Sequence, residues 1–185
     1  MKLLGKTLKA GLVVALAVTL GSTASFAQKK KSKCKDGETD KIAKYELGKG
    51  TNLDQAINAS LTGQPGDAKK GLKWITSRKL GNCIACHEVK KIADLAKADD
   101  LKSQKSYGFH GAVGPALDGV ADRYSEGELR LIVVDIKKAM PDADSIMPSF
   151  HRADGFTRVH KDCVGFNMLS AERVEDVVAY LKTLK

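Results

Sequence analysis

Apolar residues recur along this chain mainly at helical spacing, and the places where that spacing breaks divide the chain. Leu12 to Leu20 is a continuous apolar run, preceded by Lys2, Lys6 and Lys9 and followed by Ser25, Phe26 and Ala27. A basic start, a short apolar core and small residues at the two positions a signal peptidase reads predict a signal peptide over residues 1–27. The run is well short of the ~20 residues that a membrane span requires. Residues 28–50 are rich in Lys, Asp, Glu and Gly without periodicity, and read as a polar N-terminal arm. The folded domain is expected over residues 51–185. Leu53, Ile57 and Leu61 recur at i, i+4 and i+8, predicting a helix that Gly63, Pro65 and Gly66 then stop. A second helix is predicted from Asp67, a good N-cap, through Leu80, with Leu72 and Ile75 on its apolar side. Residues 88–106 carry Ile92, Leu95 and Leu101 among many charges, as a surface helix or loop would. Gly108 to Pro115 is a glycine-rich loop. Ser125 caps a helix with Leu129, Ile132, Val133 and Ile136 on its buried side. An irregular segment marked by Pro141, Pro148, Gly155 and Gly165 follows. Ser170 caps the last helix, lined by Val174, Val177, Val178, Leu181 and Leu184. No internal repeat and no strand pattern is visible, so the fold class predicted is all-α. Loops this long in a compact domain serve a site or wrap a ligand.

Composition sharpens this picture. The chain has 185 residues and a formal net charge of +9. Without residues 1–27, which hold three lysines and no acids, 158 residues and a charge of +6 remain, the size of one domain. Aromatic residues are sparse at 5%, and a large flat prosthetic group would supply the missing apolar bulk. The positive balance argues for an acidic docking partner or for solubility. Nucleic-acid binding is disfavoured, because no basic helix carries interleaved aromatics. Lys29, Lys30, Lys31, Lys33 and Lys35 read as a solvated tail.

The chemistry concentrates in Gly81-Asn-Cys-Ile-Ala-Cys-His87, which contains C-x-x-C-H. Thiols at this spacing, Cys83 and Cys86, add across the two vinyl groups of a haem. The adjoining His87 then becomes the proximal iron ligand. A thioredoxin-like redox pair would need a strand before the motif within a βαβ unit, and the sequence offers none. A zinc site would draw on Cys34 and Cys163, which lack a paired C-x-x-C spacing. For the sixth iron ligand the candidates are Met140, Met147, Met168, His110, His151 and His160. Met147 comes first, because Pro148 stiffens a loop well separated from His87. Met140, also followed by a proline, is second, and Met168 reads as core. His110 and His151 read as surface or loop residues. Pro115 is a candidate acceptor for the other ring N–H of His87, the kind of bond that sets the tautomer of a ligating histidine; an ordinary turn is the alternative. An exported chain seldom keeps two free thiols, so a Cys34–Cys163 disulfide is the first reading. Its alternatives are a bond to a partner subunit or a reactive thiol.

Met147-Pro-Ser-Phe150, the Gly114-Pro115 loop and the closing Val177-Val-Ala-Tyr-Leu181 resemble class I cytochromes c. More narrowly, three stretches resemble the SoxX family, the monohaem subunits of SoxAX complexes in periplasmic sulfur oxidation. These are Ser60-Leu-Thr-Gly-Gln-Pro-Gly66, Val113-Gly-Pro-Ala-Leu-Asp-Gly119 and Arg123-Tyr-Ser-Glu-Gly-Glu-Leu-Arg130. Glu175 to Leu181 continues the likeness, which covers about residues 53 to 185; the arm with Cys34 fits least well. The resemblance implies the class I cytochrome c fold around one covalent haem c, held by Cys83 and Cys86, with His87 and Met147 as axial ligands. It also implies a SoxA-type cytochrome as partner subunit, the SoxYZ carrier protein as substrate, and a small acceptor cytochrome downstream. The complex implied is an L-cysteine S-thiosulfotransferase, in which this chain carries electrons and has no catalytic residue of its own. Two other classes share the haem motif: a free-standing soluble shuttle, and a sensor with an open iron site.

Overall fold

The structure is a computed structural model. It describes residues 42–77, 81–92 and 111–185, all within the unit spanning Lys31–Lys185. The predicted signal peptide, the lysine tail, Cys34, His110 and most of the 88–106 segment lie outside the described residues. Helices dominate as predicted, with one small hairpin that the apolar pattern does not announce.

That hairpin replaces the helix expected from Leu53. Strand β1 (Gly48–Lys49) pairs antiparallel with β2 (Gln55–Ala56), with Gly48 opposite Ala56 and Lys49 opposite Gln55. The cause lies in a distant carboxylate. Glu128 is fully buried, and its Oε1 accepts the backbone N–H groups of Thr51, Asn52 and Leu53. Those donors converge on one oxygen and hold residues 51–53 as the turn of the hairpin. Ile57 is still buried, and Leu53 and Leu61 still pack against the core. The i, i+4, i+8 spacing therefore reports burial correctly and conformation wrongly.

The described end of the polar arm also belongs to the folded domain. Ala43 N–H donates to His151 Nε2 at 2.9 Å. Tyr45 packs against the core, and its hydroxyl accepts from Lys138 Nζ at 3.0 Å. The domain thus reaches at least to Ile42 rather than starting at residue 51.

Helix α1 (Ala68–Thr76) begins where predicted, with Asp67 accepting from the amides of Lys69 and Lys70. It ends at Thr76, before the expected Leu80, and Thr76 Oγ1 turns back to the Leu72 carbonyl at 2.8 Å. Helix α1 packs on the terminal helix α5 (Ala171–Leu181). The two backbones touch at Gly71, where a Cβ would fall 2.0 Å from the Asp176 carbonyl oxygen. Only glycine allows that approach. Asp176 then joins the helices with its side chain, accepting from Asp67 N at 2.7 Å and Trp74 Nε1 at 2.9 Å.

Helices α2 (Val120–Arg123), α3 (Glu126–Val134) and α4 (Ile136–Ala139) follow one another closely. Ser125 and Glu128 form a reciprocal capping box at the start of α3. Arg130 is buried in α3 and pairs with buried Glu175 of α5 through Nε–Oε1 at 2.8 Å and Nη2–Oε2 at 3.0 Å. Its Nη1 donates to the Ile57 carbonyl at 2.7 Å, and Glu175 also accepts from Leu61 N at 2.8 Å. One fully hydrogen-bonded ion pair thus fastens α3, α5 and the segment after the hairpin. Ile57, Ile75, Leu129, Leu131, Val174 and Val177 form the core beside it. Among the described residues no helix is long and apolar enough to cross a membrane.

Candidate haem site

Cys83–Ala85 forms a single 3₁₀ turn, entered through Asn82 in the left-handed region at φ 48°. The amides of Cys86 and His87 both donate to the Cys83 carbonyl, at 3.1 and 3.0 Å. Two thiols and an imidazole therefore leave one turn of chain, which is the arrangement C-x-x-C-H predicts. Neither cysteine is paired in a disulfide; Cys83 is half-buried and Cys86 exposed. Burial pushes the Cys83 thiol up to about 12; its own backbone opposes this and the neighbouring Cys86 adds to it. Among the described residues no group of three or more His, Cys, Asp or Glu side chains is placed to hold a metal ion by itself.

The glycine-rich loop clamps this turn from the side. Gly111 N donates to Ile84 O at 2.9 Å, Gly114 N to Cys86 O at 2.8 Å and Leu117 N to Glu88 O at 2.9 Å. The clamp brings the Pro115 carbonyl to 2.7 Å from His87 Nδ1. A carbonyl only accepts, so Nδ1 carries the proton and Nε2 keeps its lone pair for a metal. A Cβ on Gly114 would stand 2.4 Å from His87 Cε1, so the loop backbone packs directly on the imidazole. The ring is thereby fixed in tautomer and orientation. These residues fit a covalently held haem: two thiols on one turn, and an imidazole with the correct nitrogen free.

The other candidate iron ligands occupy different places. Met147 is half-buried against the core on the loop after α4, and its amide donates to Ser145 Oγ at 3.2 Å. Met140 is half-buried at the end of α4. Met168 is half-buried, and its amide donates to the Phe150 carbonyl at 3.0 Å. His151, read from sequence as a surface or loop residue, is fully buried. Its Nδ1 donates to the Leu169 carbonyl at 2.8 Å and its Nε2 accepts from Ala43. Both ring nitrogens are spent on backbone groups, so His151 is a buried tie and not a ligand. Burial pushes its pKa below the usual histidine range, opposed by the bond to Leu169. His160 lies at the surface, where it caps the short turn Lys161–Cys163 by accepting from Asp162 N. Cys163 is disulfide-bonded, and Cys34 lies outside the described residues. The sequence reading missed Asp135, which is fully buried and accepts from Ser149 Oγ at 2.7 Å. Nothing in the primary structure separates it from the surface acids around it.

Comparison with known proteins agrees with this geometry. The cytochrome c family model matches residues 68–185. Among solved structures, the crystal structure of SoxXA from P. pantotrophus matches at 38% sequence identity, covering 70% of this chain and 90% of that one, with a TM-score of 0.56. Curated proteins give no match.

Proposed function

The chain belongs to the cytochrome c family as a SoxX-type cytochrome with covalent haem c, and from that premise we propose that it is the electron-transfer subunit of a periplasmic SoxAX complex. The observation that carries this reading is the 38% identity over 90% of a chain solved as SoxXA. In the proposed reaction thiosulfate joins a cysteine thiol of the SoxYZ carrier. A sulfur–sulfur bond forms, the thiol proton leaves, and two electrons pass out. The SoxA-type partner hosts that chemistry, and this chain passes the electrons singly to a small acceptor cytochrome.

Haem supplies the one-electron couple. The chain's own residues do the rest. Cys83 and Cys86 tether the group, and His87 binds through Nε2. The Pro115 carbonyl accepts the His87 Nδ1–H and so keeps Nε2 available. Met147 would be the second residue to hold the iron, and a thioether there would keep substrate off it, as a relay requires, and raise the potential. Residues 1–27 direct export, after which haem attachment and a Cys34–Cys163 disulfide follow.

The test is gentle isolation of the C-terminally tagged chain from thiosulfate-grown cells of its source, with mass spectrometry and haem staining of what copurifies. A stoichiometric second c-type cytochrome, and a mixed complex that forms the thiosulfonate on a carrier cysteine, are the expected results. Recovery of this chain alone with one haem would overturn the subunit reading in favour of a soluble electron shuttle.

A further inference from the structure

Met147 stands at the middle of a five-residue segment, 145–149, and both ends of that segment are tied to one short stretch where α3 meets α4. On one side the Lys137 ammonium donates to the Ser145 carbonyl. The Ser145 hydroxyl in turn accepts the Met147 amide at 3.2 Å. On the other side the Ser149 hydroxyl donates to Asp135 Oδ1 at 2.7 Å. The second oxygen of Asp135 takes Arg152 Nη1 at 3.3 Å. Beyond Ser149, the amides of Phe150 and His151 donate to the carbonyls of Val133 and Val134, at 3.1 and 3.2 Å.

Asp135 is placed unusually for this work. It is the N-cap residue of α4, where an aspartate normally turns its carboxylate onto the helix amides. Here the side chain makes no capping hydrogen bond. It is aimed at Ser149 instead, from a fully buried position where an unpaired carboxylate would be costly. A helix cap has been given up for a strut to the segment that carries Met147.

We propose that Asp135, Ser149 and Lys137 are positioning residues that hold segment 145–149 in one conformation and so slow the exchange of the Met147 thioether for other ligands. The inference rests on Met147 being the distal ligand. A thioether is a neutral, weak ligand, so its persistence depends on how rarely the loop swings away. Ordering a loop costs backbone entropy, and the two anchors restrict the segment from outside it. Neither anchor involves the thioether itself. Their effect should appear in the kinetics of ligand exchange before it appears in the resting spectrum.

The experiment mixes the ferric, haem-loaded chain with imidazole and follows loss of the low-energy sulfur-to-iron absorption band. S149A and K137M should both keep the band and exchange about tenfold faster, the factor expected for one lost hydrogen bond to a charged group. Lys137 is exposed, so K137M carries the test alone if S149A fails to fold. I57V, a trim of the core beside the hairpin, should lower the melting temperature without changing the exchange rate. Wild-type exchange rates in the anchor variants overturn the proposal, and so does an equal acceleration in I57V, which would mark general loosening. M147A reports separately on the underlying assignment: an unchanged band there removes Met147 as ligand and the positioning role with it.

Discussion

Glu128 provides the most quantitative handle on the fold. Its carboxylate is fully buried. Oε1 receives the amides of Thr51, Asn52 and Leu53, and Oε2 receives that of Ser125. Burial by itself pushes the carboxyl up. The bonds from Leu53, Ser125 and Asn52 overcome that and bring it down from 4.5 to about 2. A shift of this size corresponds to about 3 kcal/mol favouring the ionised folded form. The sign follows from proton binding. Between about pH 4.5 and pH 2 the unfolded chain holds the proton that the folded chain refuses, so stability falls as pH falls through that window and is fully present above it. E128Q removes the charge and turns an NH₂ group toward one set of backbone donors. It should destabilise the haem-loaded protein by about 3 kcal/mol at pH 7, or roughly 6–12 °C in melting temperature for a domain of this size. The loss should shrink markedly at pH 3. Denaturant unfolding followed by the fluorescence of Trp74, the single tryptophan, measures both. A loss below about 1 kcal/mol at pH 7, or one independent of pH, would refute the argument that these amides hold the carboxylate ionised.

Four further outcomes are expected. G114A places a methyl 2.4 Å from His87 Cε1, so absorption spectroscopy should show haem still attached but the ferric low-spin spectrum weakened; a wild-type spectrum would contradict the packing. R130M leaves Glu175 charged and buried and should cost about 3–5 kcal/mol in denaturant unfolding, while R130M with E175L should recover most of that loss. His151 is buried neutral with its pKa lowered, so the unfolded chain binds its proton first; melting temperature should fall as pH drops below about 6.5, and H151Q should flatten that dependence. For the proposed Cys34–Cys163 bond, the mature haem-loaded chain unfolded without reductant should show no reactive thiol and give a linked peptide pair on proteolysis. A titratable thiol would refute it.

Features set by neighbours in the chain are legible in the sequence. Cys83, Cys86 and His87 need only one turn of backbone to meet, so their spacing alone brings the two thiols and the imidazole together. Asp67, Ser125 and Ser170 cap helices through amides two or three residues ahead, and each is recognisable from its position before an apolar period. The family resemblance rests on such local stretches, and the match to the cytochrome c family over residues 68–185 supports it. The helical spacing of Leu53, Ile57 and Leu61 likewise identifies buried positions, because burial leaves its mark on composition whatever the backbone does.

What the sequence leaves open are contacts between residues far apart in the chain. Glu128 decides that residues 51–53 turn, from 75 positions beyond Leu53. Ala43 and Leu169 decide that His151 is a buried tie with no nitrogen to spare. Pro115 becomes the orienting acceptor of His87 only because three backbone bonds bring its loop alongside the haem turn. Local patterns recommend a conformation with a few tenths of a kcal/mol per residue. A buried carboxylate or imidazole that must find its partners is worth several times more. Chemistry carried by adjacent residues is therefore written in the sequence, whereas the partners that aim it are chosen by whichever distant groups the tertiary structure leaves to be satisfied.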